Sequence, residues 1–156
     1  MLTLDASRGH SAVTFDRASA QALGDAPLDP ADWERVIDGA AVLFAWEQLG
    51  VAESALIQAR DYALQRFAFG RAIGSYQAIK HKLADMYVKN EVARSNAYYG
   101  AWALSSNAAE LPEAAAAARV AASEAYWFAS KENIQTHGGM GFNQHGCEFA
   151  GTHYQQ

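Results

Sequence analysis

The sequence predicts an all-α fold of three long antiparallel helices with a short N-terminal β appendage, which completes a bundle by self-association. Three observations carry that reading. Asp29 stands as a capping residue directly before Pro30, the residue type that suits a first helical position, and a further acid, Asp32, follows where the helix dipole favours it. The positions Ile79, Leu83, Met86, Asn90, Ala93, Ala97, Ala101 and Leu104 alternate at the spacing of a bundle seam. A run of alanines, Ala114 to Ala118, follows a proline-marked helix start and implies close approach to a neighbouring helix.

Composition bounds the function. The 156 residues make one ordinary domain with a real core, and at 51% hydrophobic and 19% charged the chain is not disordered throughout. A net charge of -5 with no run of lysines or arginines excludes a nucleic-acid or anionic-membrane footprint. The single cysteine, Cys147, cannot close an internal disulfide, and no signal peptide is visible, so a cytoplasmic location is expected. The apolar segment Ala40 to Leu49 is interrupted by Glu47 and is shorter than the roughly 20 residues a membrane span needs, so no membrane partner is expected.

Taken in order, Leu2 to Asp5 and Ser11 to Asp16 read as short strands around a turn at Arg8-Gly9-His10, marginal as a pair by themselves. Gly24 and Pro27 mark a linker, so residues 1–28 form one unit and residues 29–142 the helical domain. The first helix has no convincing stop before Phe69-Gly70 and could run about 60 Å. Between Gly39 and Val51 it carries Glu47 as its lone charge and large apolar groups on every side: Val42, Leu43, Phe44, Trp46 and Leu49. Such a helix is buried on several sides, at the centre of a bundle or against another chain. The second helix opens at Ser75 or Tyr76 and runs to about Ser106-Asn107. The third follows Glu110-Leu111-Pro112-Glu113 and continues to about Thr136, with Val120, Trp127 and Ile134 as its larger apolar side chains. Tryptophans and tyrosines at helical spacing read as core. Residues 143–156 have no clear period and read as an irregular tail.

Two stretches invite a functional reading. Gln135-Thr136-His137-Gly138-Gly139-Met140-Gly141-Phe142 packs glycines where a helix should stop, which suits an abrupt C-cap, a place where backbone amides meet a ligand, or both. Arg66, followed by Phe69-Gly70 and then Gln77, puts a guanidinium at the end of a long helix. It can sit near the last carbonyls, or its planar fork can clamp phosphate oxygens, and spacing leaves both open. His81 and His137 lie beside apolar residues and read as packing or hydrogen-bonding histidines. His145, Cys147, Glu148 and His153 lack the paired spacing of a zinc site, so no metal is expected.

Arg66-x-x-Phe69-Gly70-x-x-Ile73-x-x-x-Gln77, then His81-x-Leu83-Ala84-Asp85-Met86, and later Gln135-x-x-Gly138-Gly139-x-Gly141-Phe142 together resemble the C-terminal helical domain of the acyl-CoA dehydrogenases. Leu4-Asp5-x-x-Arg8 and Val13-x-Phe15-Asp16 resemble the last strands of that family's middle β domain. The resemblance implies a domain of four-helix-bundle type at the core of a dimer or tetramer. It also implies α,β-dehydrogenation of an acyl-CoA thioester, in which a carboxylate takes the α-proton and the β-hydrogen leaves as hydride to N5 of flavin adenine dinucleotide (FAD). By the same resemblance Arg66 contacts the flavin pyrophosphate of the neighbouring subunit, Phe69 packs by the cofactor, and Gln77 bonds toward its adenosine half. Gln135, Gly138 and Gly139 match the segment that meets the pyrophosphate and ribityl region.

The departures matter as much. Ala72 stands where many members have proline, and Gly39-Ala40-Ala41 occupies the turn where some members place the catalytic glutamate. More members carry it well past the double glycine in a Tyr-Glu-Gly type sequence, a position beyond Gln156. The tail also lacks the Lys and Arg usual there. No catalytic residue is therefore expected, and the chain reads as a C-terminal fragment, or a truncated or frameshifted product, inactive alone. The competing reading is a non-catalytic helical oligomerisation module or the partner subunit of a fuller dehydrogenase.

Overall fold

The computed structural model describes residues 11–21, 24 and 29–142. Helix α1 spans Pro30–Gln65, α2 Gln77–Ser106 and α3 Leu111–His137. Between α1 and α2 lie two short strands, β1 (Phe67–Ala68) and β2 (Arg71–Ala72), and a 3-10 turn, Ile73–Ser75. A second 3-10 segment, Gly138–Phe142, follows α3.

Each helix end has a local cause. Asp29 Oδ1 accepts the N–H of Ala31 at 2.9 Å, and Pro30 occupies the one place in a helix where its missing N–H leaves nothing unsatisfied. α2 stops on Asn107, whose φ of 57° is a left-handed conformation that asparagine tolerates. α1 ends at Gln65, short of the expected Phe69-Gly70. The reason is a tight hairpin: Phe69 (φ 53°) and Gly70 (φ 81°) form a two-residue turn of the kind that joins antiparallel strands, pairing Phe67 with Ala72 and Ala68 with Arg71. Tyr76 Oη donates to the Ala68 carbonyl at 3.0 Å, and the Arg71 guanidinium lies 3.9 Å from the Tyr76 ring centre, so the hairpin is fixed to the start of α2.

The core is an alanine seam. Ala45, Ala52 and Ala59 of α1 meet Ala93 and Ala97 of α2 and Ala118, Ala122, Ala125 and Ala129 of α3, with Leu49 and Met86 filling the wider gaps. Small side chains at every crossing let the three axes approach closely. Asn90 lies in this seam at 1% exposure, and its amide finds no hydrogen-bond partner among the described residues. Lys82 Nζ on α2 meets the buried Glu132 Oε2 on α3 at 2.6 Å. Arg94 clips α2 to α1 through Glu53 at 3.1 Å, and its hydrogen bonds to Glu91 and then Glu53 raise its proton affinity further.

Several expectations change. Ser11 to Asp16 is exposed and forms no strand, because no neighbouring strand among the described residues takes its hydrogen bonds; Leu2 to Asp5 and the tail residues His145, Cys147, Glu148 and His153 lie outside the described residues. Among the described residues the β structure is the hairpin between α1 and α2. On α3 the alanines form the core, while Val120 and Trp127 point outward. Trp33, Trp102, Tyr87, Tyr98 and Tyr99 are likewise exposed rather than core. On α1, Val42, Ala45 and Leu49 are buried but Leu43 is 67% exposed and Phe44 is open to solvent. By length and composition alone α1 is long and apolar enough to cross a membrane, a property that bundle core helices share. Its alanine seam nevertheless packs against α2 and α3, as in the core helix of a bundle.

Candidate functional site

The C-terminal ends of α1 and α3 meet at a shallow cleft of about 450 Å³, lined by Tyr62, Arg66, Ile73, Thr136, His137, Gly138, Gly139 and Met140. Arg66 is the first residue to leave α1, with φ -80° and ψ 123°. Its N–H donates to the Tyr62 carbonyl at 2.9 Å and its carbonyl accepts from the Ile73 N–H at 2.8 Å, so the backbone is held on both sides while the side chain stays exposed. Two helix C-termini carry partial negative charge, which repels an anion. Any phosphate in this cleft therefore depends on the guanidinium rather than on the helix dipoles.

The glycines divide the work. Gly138 caps α3 at φ 60° and ψ -135°, a conformation that side chains disfavour, and its N–H is committed to the Gln135 and Ile134 carbonyls. That N–H closes the helix and is not offered to a ligand. A Cβ placed on Gly138 or Gly139 meets none of the described residues within 4 Å, so they leave this side of the cleft open. Gly141 is different: a Cβ there comes 2.7 Å from the Ile134 carbonyl oxygen, a close approach that only glycine permits.

His137 forms part of the wall. Its ring stacks on Tyr62 with centroids 4.2 Å apart, and Nδ1 lies 2.9 Å from the Asn133 carbonyl oxygen. A carbonyl only accepts, so Nδ1 carries the proton of that contact. Nε2 is buried and has no hydrogen-bond partner among the described residues. Thr136 Oγ1 is turned away, donating to the Glu132 carbonyl at 2.7 Å. None of the described residues lining the cleft carries a carboxylate.

Of the residues singled out in the sequence, Arg66, Gly138 and Gly139 come together here from distant parts of the chain. Gln135 is exposed on α3 outside the wall, Gln77 is exposed at the start of α2, and Phe69 is 96% exposed at the hairpin tip. His81 is exposed, whereas His137 packs and hydrogen-bonds as expected of it. Tyr62 escaped the sequence reading, although it stands one helical turn before Arg66 and so on the same face.

Residues 34–155 match the sequence pattern of the family described as "Acyl-CoA dehydrogenase, C-terminal domain", a match that runs past Phe142 into the tail. Over 105 residues the chain is 47% identical to the acyl-CoA dehydrogenase IpdE2 of Mycobacterium tuberculosis, covering 67% of this chain and 31% of that protein. The solved structure of butyryl-CoA dehydrogenase from Megasphaera elsdenii superposes with a TM-score of 0.67 at 34% identity, over 69% of this chain and 28% of that one. A chain of the ChsE4-ChsE5 complex from Mycobacterium tuberculosis superposes with a TM-score of 0.67 at 29% identity, over 77% of this chain and 33% of that one. The chain thus spans about a third of the length of the relatives it matches.

Proposed function

The chain belongs to the acyl-CoA dehydrogenase family, and from that premise we propose that it supplies the helical bundle and one half of the FAD clamp of a flavin-dependent acyl-CoA dehydrogenase. The observation that carries this reading is the meeting of Arg66 with Gly138 and Gly139 in one cleft. The residues present fit the cofactor: an exposed guanidinium for the pyrophosphate, an open face at both glycines, and a buried polar atom, His137 Nε2, still lacking a partner. When bound, FAD supplies the hydride acceptor for oxidation of the thioester's α,β-bond.

The roles of this chain's residues follow from their chemistry. Arg66 neutralises and orients the pyrophosphate with charge-assisted hydrogen bonds. Phe69, held out on the rigid hairpin, packs against the cofactor, and Gln77 and Gln135 approach it from outside the cleft wall. The clamp serves a neighbouring subunit, so the chain works as a homo- or hetero-oligomer. Exposed Val36, Leu43, Phe44 and Trp102 support that reading, as apolar surface of this kind suits a second chain. By resemblance of sequence we assign residues 1–28 to the end of the family's middle β domain and its linker, and we place the enzyme in the cytoplasm.

Because none of the described residues lining the cleft carries a carboxylate, none of them is a candidate to take the α-proton, and the chain by itself binds flavin weakly and does not turn over. The same observation favours the second reading, a non-catalytic module partnering a fuller dehydrogenase. The test adds FAD and a panel of acyl-CoA thioesters to the purified protein and follows reduction of an artificial electron acceptor. Weak flavin binding without turnover is expected. Turnover above the no-enzyme control places a base within this chain and overturns the assignment, and flavin that does not bind at any concentration overturns the clamp.

A further inference from the structure

We infer that His137 is a ligand-contacting residue of the Arg66 cleft, its Nε2 accepting a hydrogen bond from a hydroxyl that neighbours the phosphate, which on the FAD reading is a ribityl hydroxyl. The inference rests on that reading for the identity of the ligand and on the ring's own geometry for the rest. Nδ1 sits 2.9 Å from the Asn133 carbonyl oxygen and so carries the proton. In the neutral ring Nε2 is then a lone pair and nothing else.

That lone pair is buried with no partner among the described residues, in a residue only 8% exposed, and a buried acceptor without a partner is costly. The ring has little freedom to seek a partner elsewhere: Tyr62 covers one face at 4.2 Å and the Asn133 carbonyl fixes the orientation. Next in the chain, Gly138 and Gly139 present faces that no described residue covers within 4 Å, which leaves room for a ligand. A phosphate oxygen is itself an acceptor and does not satisfy Nε2, whereas a hydroxyl does. The cleft therefore reads two adjacent groups, the guanidinium taking the anion and the imidazole taking the hydroxyl next to it.

The experiment labels the histidines and arginines of the 156-residue protein with 15N and records their side-chain resonances on adding millimolar riboflavin 5′-phosphate or inorganic pyrophosphate. Riboflavin 5′-phosphate should move both the Arg66 guanidinium and His137 Nε2, and pyrophosphate the guanidinium alone. His137→Phe, which keeps a ring against Tyr62, should weaken riboflavin 5′-phosphate about tenfold and leave pyrophosphate unchanged. If riboflavin 5′-phosphate moves Arg66 but not Nε2, the inference is overturned and the reading of the cleft stands. Movement of Nε2 by pyrophosphate also overturns it, since the partner is then phosphate. If no probe moves either residue, the FAD reading goes as well.

Discussion

Tyr62 of α1 and His137 of α3 lie face to face across the cleft, with ring centroids 4.2 Å apart and planes 29° from parallel. The pair ties together two helix ends that carry functional residues, Arg66 on one side and Gly138 on the other. Tyr62→Ala should cost about 2 kcal/mol, partly lost burial and partly the lost ring contact. Combined with His137→Ala it should show a coupling of about 1 kcal/mol in a double-mutant cycle. Thermal unfolding measures both, and strict additivity would mean that the rings merely happen to be near each other.

The glycines after α3 separate structure from binding. Gly141→Ala drives a Cβ to 2.7 Å from the Ile134 carbonyl oxygen and should destabilise the protein by about 1–3 kcal/mol. Gly139→Ala meets no described residue within 4 Å and should change stability by less than about 0.5 kcal/mol, yet weaken flavin binding by filling the open face. Urea denaturation and flavin titration on both variants decide. Equal effects of the two on stability would contradict this division.

Lys82 and Glu132 are an unequal pair. The Glu132 side chain is 9% exposed and Lys82 is 35% exposed, so removing the lysine strands a buried carboxylate, whereas removing the carboxylate leaves an ammonium that can reach water. Lys82→Ala should therefore cost about 2 kcal/mol and Glu132→Gln about half as much. Chemical denaturation of both variants tests the ordering, and a reversed order would show that the bridge is a surface contact of small consequence.

The purified chain should self-associate at micromolar concentration. Val36 and Leu43 of α1 and Leu104 of α2 line a shallow groove with Asp32 and Arg35 at one end, and Phe44 adjoins it in sequence. The double variant Val36→Glu, Leu43→Glu should shift sedimentation toward the monomer without loss of helicity. A wild-type protein that sediments as a monomer throughout would remove this element of the account.

What the sequence disclosed follows local chemistry. The Asp29–Pro30 start, the middle of the α2 seam (Met86, Asn90, Ala93 and Ala97) and the stop at Gly138 rest on short-range rules and are present, whereas the seam continues through Gly100 and Ala103 and leaves Ala101 and Leu104 half-buried. The end of α1 is not legible in the sequence because Phe69-Gly70 turns a hairpin, and an aromatic residue at positive φ is not a signal that composition gives. The face of α3 was misread for a different reason. Close helix packing favours alanine over Val120 and Trp127, the reverse of what hydrophobicity alone suggests. For the cleft, Arg66 and the double glycine are visible as motifs and Tyr62 follows from its place one turn before Arg66, but the orientation of His137 depends on how α1 meets α3 and carries no mark in the sequence.

The central claim is that Arg66 makes this end of the bundle a phosphate-binding half-site. Fluorescence anisotropy of FAD titrated with the wild-type chain, Arg66→Ala and Arg60→Ala tests it most directly, because Arg60 sits near the same helix end but is engaged with Asp61 at 2.7 Å. Loss of a charge-assisted contact of about 1.5–3 kcal/mol should weaken FAD binding at least about tenfold in Arg66→Ala, with Arg60→Ala close to wild type. Equal affinity of the wild type and Arg66→Ala would contradict the account.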